Sequence, residues 1–200
     1  SLGMFGAVFL LAQYLQIVMN YTPFQAGLRT LPWTAAPMVV APIAGLLAER
    51  VGLRGLLVAG LSLQSVSLVW MALILGPDTE YLSMVPALLM AGVGMGLTFA
   101  PSATAVLRDM KDEDHATASS ANSTVREVGI ALGIAVLTAV FIGAGGSLTP
   151  TGYTDALAPA LLVGAGAVAI GLVAALFMPG RSAGPAEALT VGREMPSTTE

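Results

Sequence analysis

Several polar side chains capable of chemistry lie within stretches that are otherwise apolar. Arg126 and Glu127 stand near the middle of a run long enough to cross a lipid bilayer. An arginine at the centre of a membrane helix costs about 2.5–3.5 kcal/mol on insertion scales, so such a residue indicates a functional site or a buried partner. Because adjacent helical residues point about 100° apart, we expect Arg126 and Glu127 not to pair with each other.

Arg126 shares its predicted helix face with Asn122, and we interpret this face as the lining of an internal cavity. Glu127 lies on a different face and is the acidic residue most clearly inside a predicted span. It is therefore a candidate proton site. A structural ion pair between Arg126 or Glu127 and another helix is the alternative interpretation.

A second polar set consists of three carboxamides, Gln13, Gln16 and Asn20, near the start of the chain. Their spacing of three and then four residues places them on one face of a helix. Carboxamides exposed to lipid are costly, so we expect this face to meet protein or water. Such groups both donate and accept hydrogen bonds, which suits uncharged or cationic ligands. The sequence predicts either hydrogen bonds between helices or a cavity wall that contacts substrate.

The composition argues against a soluble protein and against most kinds of catalytic site. Hydrophobic residues make up 56% of the chain and charged residues 10%, whereas soluble domains carry about 25% charged residues. The chain has no cysteine and one histidine, which leaves no credible catalytic cluster, thiolate site or multi-histidine metal site. We therefore predict that the protein is not an enzyme and needs no cofactor. The net charge of −4 argues against nucleic acid as a partner.

The elements that must position these residues are apolar helices. We predict an all-α membrane protein with six transmembrane helices in residues 1–179, and a disordered cytoplasmic tail in residues 180–200. The predicted spans are, in order, about residues 2–20, 31–48, 55–75, 82–106, 116–142 and 156–178. Since an apolar run begins at Leu2 without an initiator methionine, we expect the chain to be a fragment of a longer protein.

The basic residues predict the orientation of the bundle. Six of them fall in gaps that share one side of the predicted helices, and only Arg29 falls on the other side. The six are Arg50, Arg54, Arg108, Lys111, Arg181 and Arg193. Because Lys and Arg collect in cytoplasmic loops, both termini are predicted to be cytoplasmic.

The segment from Gly45 to Gly55 resembles the cytoplasmic signature of the major facilitator superfamily, with the pattern G-x-L-a-D-r-x-G-r-[RK]. The matching positions are Gly45, Leu47, Ala48, Arg50, Gly52 and Arg54, and the departures are Glu49 and Leu53. We expect Gly45 to permit close helix contact and Gly52 a tight turn. Glu49 and Arg54 can form an ion pair that breaks in another conformation. The resemblance implies a cytoplasmic gate loop built from Gly45, Glu49, Arg50, Gly52 and Arg54.

Other stretches are similar to the fourteen-span drug:proton antiporter branch of that superfamily. They are Gln13–Val18, Tyr21–Leu28, Leu31–Pro32 and Ala121–Gly129. The resemblance implies the C-terminal six-helix half of a two-half transporter in the bacterial plasma membrane, with substrate bound between the halves. It implies proton-coupled efflux of drugs by alternating access, with the lipid bilayer, an N-terminal half and a small-molecule substrate as partners. The alternatives are a facilitator or symporter of a sugar, metabolite or peptide, and a non-transporting membrane subunit.

Overall fold

A computed structural model describes residues 1–107 and 114–178, and this part of the chain is helical without strands. The helices are α1 (Leu2–Ile17), α2 (Pro23–Arg29), α3 (Leu31–Val51), α4 (Leu53–Ile74), α5 (Tyr81–Leu107), α6 (His115–Gly143) and α7 (Pro150–Leu176). The predicted all-α class is confirmed. Arg108, Lys111, Arg181, Arg193 and the predicted tail lie outside the described residues.

Five described stretches are long and apolar enough to cross a membrane, with α2 and α3 counted as one stretch. The sixth apolar helix, α1, has 16 residues and is shorter than a full span. Each of the six segments predicted from the sequence overlaps one helix, and these helices are α1, α3, α4, α5, α6 and α7. The ends differ most at α7, which begins six residues before the predicted start at Ala156.

The short helix α2 was not predicted, because the residues after Asn20 read as a connector. Its first turn is set by a reciprocal cap: the Thr22 hydroxyl accepts from the Gln25 amide at 3.3 Å, and the Thr22 amide donates to the Gln25 side chain at 3.1 Å. Pro23 occupies the first helical position, where its missing N–H costs nothing. Local capping therefore forms a helix too short to be found from hydrophobic periodicity.

The predicted gate loop is almost entirely helical. The α3 helix continues through Val51 and α4 starts at Leu53, so Gly52 alone reverses the chain. Its φ of 84° and ψ of 152° lie where side chains are strained, which confirms that a glycine is needed at this turn. No close helix contact is made at Gly45 among the described residues, since nothing lies within 4 Å of a Cβ added there, and contact with another part of the protein stays a prediction.

The helices form two layers. We call α4 and α7, which pack on each other, the rear pair, and α3, α5, α1 and α6 the front row. Within the front row, α3 packs on α5 and α1 packs on α6. Two further contacts join the front row to the rear pair, because α5 packs on α4 and α1 packs on α7. The edge helices are the least buried. Within their most apolar stretches, 11% of α2–α3 and 17% of α6 is buried, against 39% for each of α4, α5 and α7.

Glycines allow the backbones to approach closely where helices cross. A Cβ added at Gly94 of α5 would lie 2.7 Å from the Gly60 carbonyl oxygen of α4. One added at Gly6 of α1 would lie 2.5 Å from the Gly133 carbonyl oxygen of α6. Small residues make close crossings because helices in lipid associate by packing rather than by the hydrophobic effect. These crossings fix the positions of the helices that carry the candidate site.

Candidate functional site

The carboxamides near the chain start are divided between a helix and a turn. Gln13 and Gln16 lie on α1 and are partly exposed, whereas Asn20 lies beyond its end with a left-handed φ of 58°. Asparagine tolerates this conformation better than most residues, so Asn20 serves the turn. The Gln16 side chain donates to the Ala12 carbonyl of its own helix at 3.1 Å. Within the described part of the chain, the Gln13 carboxamide makes no hydrogen bond.

Arg126 and Glu127 lie on the front-row helix α6 and contact each other. The Arg126 Nη2 atom is 3.8 Å from the Glu127 Oε1 atom, with side chains 43% and 67% exposed. The expectation that the two would not pair was wrong, because both side chains are long enough to bend around the helix surface. An ion pair this long and this exposed contributes little to stability. Asn122, one turn earlier, is partly exposed.

These two polar sets lie at different depths of the bundle. Gly129 of α6 sits beside Ser1, since a Cβ added there would lie 3.3 Å from the Ser1 Cβ. Gly6 meets Gly133, so α1 and α6 run parallel. At 1.5 Å per residue, Gln13 lies about 18 Å beyond Ser1, and Arg126 lies about 5 Å from Gly129 in the opposite direction. The structure therefore does not bring the carboxamides together with Arg126.

An aromatic pair lies between the two polar sets. The rings of Phe5 on α1 and Phe99 on α5 stack with centroids 6.2 Å apart and planes 20° apart. Phe5 adjoins Gly6, which places the pair at the depth of Gly133. Our sequence reasoning missed it because the search was for polar groups. The signal was present on α1, where Phe5, Phe9 and Gln13 recur every four residues on one stripe.

The gate segment is described only in part. Arg50 and Arg54 are exposed where α3 and α4 meet. Glu49 belongs to α3, but its side chain lies outside what the structure describes. The ion pair between Glu49 and Arg54 therefore stays a prediction.

A cluster at the opposite end of α3 surrounds Arg29, which the sequence reasoning used only for orientation. The Arg29 guanidinium carbon lies 3.9 Å from the centroid of the Tyr21 ring and 4.5 Å from that of Tyr81. The Tyr81 hydroxyl donates to the Arg29 carbonyl at 3.0 Å. A cavity of about 630 Å³ opens beside this cluster, and Asp78 and Glu80 also line it. The cluster ties α2 to the start of α5.

The comparisons with known proteins agree with this architecture. The family model described as Major Facilitator Superfamily matches residues 1–134, which run from α1 into α6. The chain belongs to the major facilitator superfamily. Members of this superfamily are transporters rather than enzymes, so the prediction of no enzymatic activity is confirmed. With its apolar helices, the chain is an integral, multi-pass membrane protein.

Three bacterial proteins illustrate the similarity of this superfamily member to known transporters. The chain is 31% identical over 138 residues to the Multidrug resistance protein B homolog of Mycobacterium tuberculosis H37Rv, covering 68% of this chain and 26% of that protein. It is 32% identical over 133 residues to the Riboflavin transporter RibZ of Clostridioides difficile, covering 66% and 29%. It is 28% identical over 137 residues to the Multidrug export protein EmrB of Escherichia coli, covering 68% and 27%. The chain thus spans about a quarter of the length of these relatives.

Proposed function

We propose that this chain forms the C-terminal half of a proton-coupled exporter of drugs or other small molecules, which works by alternating access. Two of the relatives described above carry names that denote multidrug resistance or multidrug export. The energy source is the proton gradient, with no cofactor. Both termini and the turn at Gly52 lie on the cytoplasmic side in this proposal, because Arg50 and Arg54 flank that turn.

One observation carries the proposal: two polar side chains on the front row have no hydrogen-bond partner among the described residues. Gln13 on α1 and Asn122 on α6 are partly exposed, and neither side chain makes a hydrogen bond among the described residues. An unsatisfied polar group in hydrocarbon costs several kcal/mol. The faces of α1 and α6 that carry these two side chains must therefore meet water or another protein surface rather than lipid tails.

The weakly buried edge helices suggest what that other surface is. Both α3 and α6 leave most of their apolar surface uncovered. The chain spans about a quarter of its relatives, so most of their length lies outside the matched region. An N-terminal half packed against the α3 and α6 edges would leave a water-filled cavity along α1 and α5. Gln13, Gln16, Asn20, Asn122 and Arg126 would contribute to the walls of that cavity.

The test uses everted membrane vesicles that contain the natural full-length protein. Ethidium uptake should begin when a proton gradient is imposed and should stop when a protonophore collapses it. Arg126→Gln should slow uptake at least tenfold if Arg126 lines the cavity, whereas Arg126→Lys should retain part of it. No uptake with an intact gradient, or uptake that ignores the protonophore, would contradict the proposal.

Glu127→Gln separates two roles for this carboxylate. If Glu127 carries the coupling proton, the variant loses gradient-driven uptake but still exchanges ethidium between the two sides. If the coupling carboxylates lie in the other half, the variant transports like the natural protein. The first result would assign the proton site to Glu127 and the second would exclude it, and neither would change the proposed transport reaction.

The relative named as a riboflavin transporter favours a second candidate, a facilitator or symporter of a metabolite. Such a protein would move its substrate without a proton gradient, or along with protons instead of against them. Uptake of labelled metabolite by intact cells, together with no ethidium uptake by everted vesicles, would favour this candidate. No transport of either molecule would favour a non-transporting subunit.

A reporter fused after Arg54 tests the orientation separately. An alkaline phosphatase fusion at this point should be inactive, because that enzyme folds only outside the cytoplasm. A fusion after Asp78, on the opposite side of α4, is the matched control and should be active. The reverse pattern would invert the proposed orientation.

A further inference from the structure

The helices α1 and α5 face each other at the centre of the front row. Their contact differs from the crossings that each of them makes with other helices. At four crossings that these two helices make with other helices, a glycine admits the neighbouring backbone. Gly92 and Gly94 of α5 meet α3 and α4, while Gly3 and Gly6 of α1 meet α7 and α6. Between α1 and α5 there is hardly any backbone contact in the described part of the chain. There the rings of Phe5 and Phe99 bridge the gap instead.

The two rings are stacked but incompletely buried. Their centroid separation of 6.2 Å lies within the 4.5–7 Å range of aromatic pairs, near its upper end. Both Phe5 and Phe99 are partly exposed, whereas Leu10 and Leu11 of the same helix α1 are almost completely buried. A pair that served only to fill the core would be expected to exclude solvent equally well. Ring surface is therefore available to another molecule.

Along α1, the exposed ring surface is followed by a polar side chain. Phe9, one turn beyond Phe5, is 39% exposed, and Gln13 follows after another turn. Successive steps of four residues advance about 40° around a helix, so these three side chains form one stripe. Aromatic faces attract flat rings and cations, and a carboxamide accepts or donates hydrogen bonds. Together they match a flat aromatic molecule that carries polar substituents at one end.

We infer that the Phe5–Phe99 pair is a stacking site for the planar aromatic part of the transported molecule, with Gln13 positioned for its polar end. The inference rests on the proposed function only in naming the ligand as the transported molecule. Stacking is a binding property and can be measured without transport. Failure of the site and failure of the exporter proposal can therefore be told apart.

Binding of ethidium, a planar aromatic cation, to the full-length protein in lipid nanodiscs provides the test. Phe5→Leu and Phe99→Leu remove one ring each and keep most of the apolar volume. Each should raise the ethidium Kd about three- to tenfold, the effect of one lost aromatic contact. Phe24→Leu is the matched control, since Phe24 is 76% exposed on α2 and remote from the pair. It should leave the Kd unchanged.

Tyrosine variants separate stacking from simple packing. Phe5→Tyr and Phe99→Tyr keep a ring, so their Kd should stay within about twofold of the natural value. If a leucine variant does not fold, the methionine variant replaces it. The inference is overturned if the natural protein binds no ethidium, if the leucine variants bind normally, or if the tyrosine variants bind as weakly as the leucine variants. Normal binding without vesicle uptake would instead overturn the exporter proposal and leave the stacking site standing.

Discussion

The rear pair and the edges of the front row are similarly apolar, yet the bundle buries them very differently. Each of α4 and α7 has 39% of its most apolar stretch buried, while the values for α2–α3 and α6 are 11% and 17%. In a soluble protein, apolar surface left exposed on this scale would mark an interface or an aggregation site. In a bilayer, lipid covers such surface at no cost, so hydropathy indicates depth in the membrane but not the neighbours of a helix. Packing details must supply that information.

The largest expected effect comes from filling the close crossing between α5 and the rear-pair helix α4. Gly94→Ala would place a methyl group 2.7 Å from the Gly60 carbonyl oxygen and 3.0 Å from the Gln64 amide nitrogen. These are backbone atoms that cannot move aside, so we expect a loss of about 1–3 kcal/mol in the free energy of unfolding. Thermal and denaturant unfolding followed by circular dichroism in detergent would measure it.

Gly45→Ala on the edge helix α3 is the matched control for this comparison. Nothing lies within 4 Å of a Cβ added at Gly45, so the unfolding free energy should not fall. A loss equal to that of Gly94→Ala would show that the edge helix α3 is packed as tightly at Gly45 as α4 and α5 are at their crossing. A loss seen only in the full-length protein would show that another part of the protein packs on α3.

A smaller effect is expected at the outer cluster around Arg29. Arg29→Gln removes a cation that two tyrosine rings hold at 3.9 and 4.5 Å, while the backbone bond from Tyr81 can remain. Each such contact contributes about 0.5–1 kcal/mol at partly exposed sites, so the loss should be about 1–2 kcal/mol. Arg29→Lys keeps the charge and should lose less. Equal losses for the two variants would show that shape, and not charge, holds this end of α2.

The smallest effect is expected from a hydrogen bond between α4 and α5. The buried Gln64 side chain donates to the Thr98 hydroxyl at 2.9 Å, and that hydroxyl donates to the Gly94 carbonyl at 2.8 Å. A double-mutant cycle with Gln64→Leu and Thr98→Val should give a coupling of about 0.6 kcal/mol, the average for bonds between membrane helices. Additive losses would mean that glycine packing alone holds this crossing together.

The sequence predicted the features that depend on local chemistry. Each long helix follows from an apolar run, and the turn at Gly52 follows from the conformation that glycine alone adopts freely. The helix α2 could also have been predicted, because Thr22 and Gln25 have the spacing of a capping box. It was missed because seven residues are too few for a periodic pattern.

The features that depend on distant residues could not be predicted. The partners Phe5 and Phe99 lie 94 positions apart, and nothing local to either indicates the other. The same holds for Arg29 and Tyr81. Arg126 and Glu127 pair although their Cβ atoms point about 100° apart, because long side chains reach around the helix surface. A single sequence therefore predicts the helices and the depth at which their polar groups lie, but it does not predict the contacts between helices.

The one-residue turn at Gly52 restricts how an edge helix can tilt. Helices of 21 and 22 residues meet there with a single pair of backbone torsions between them. A longer loop would absorb a tilt of α3 over several residues, whereas here the two backbone torsions of Gly52 must take up all of it. Because α4 is packed on both α5 and α7, it is held in place, and a tilt of α3 is confined to the directions that these two torsions allow.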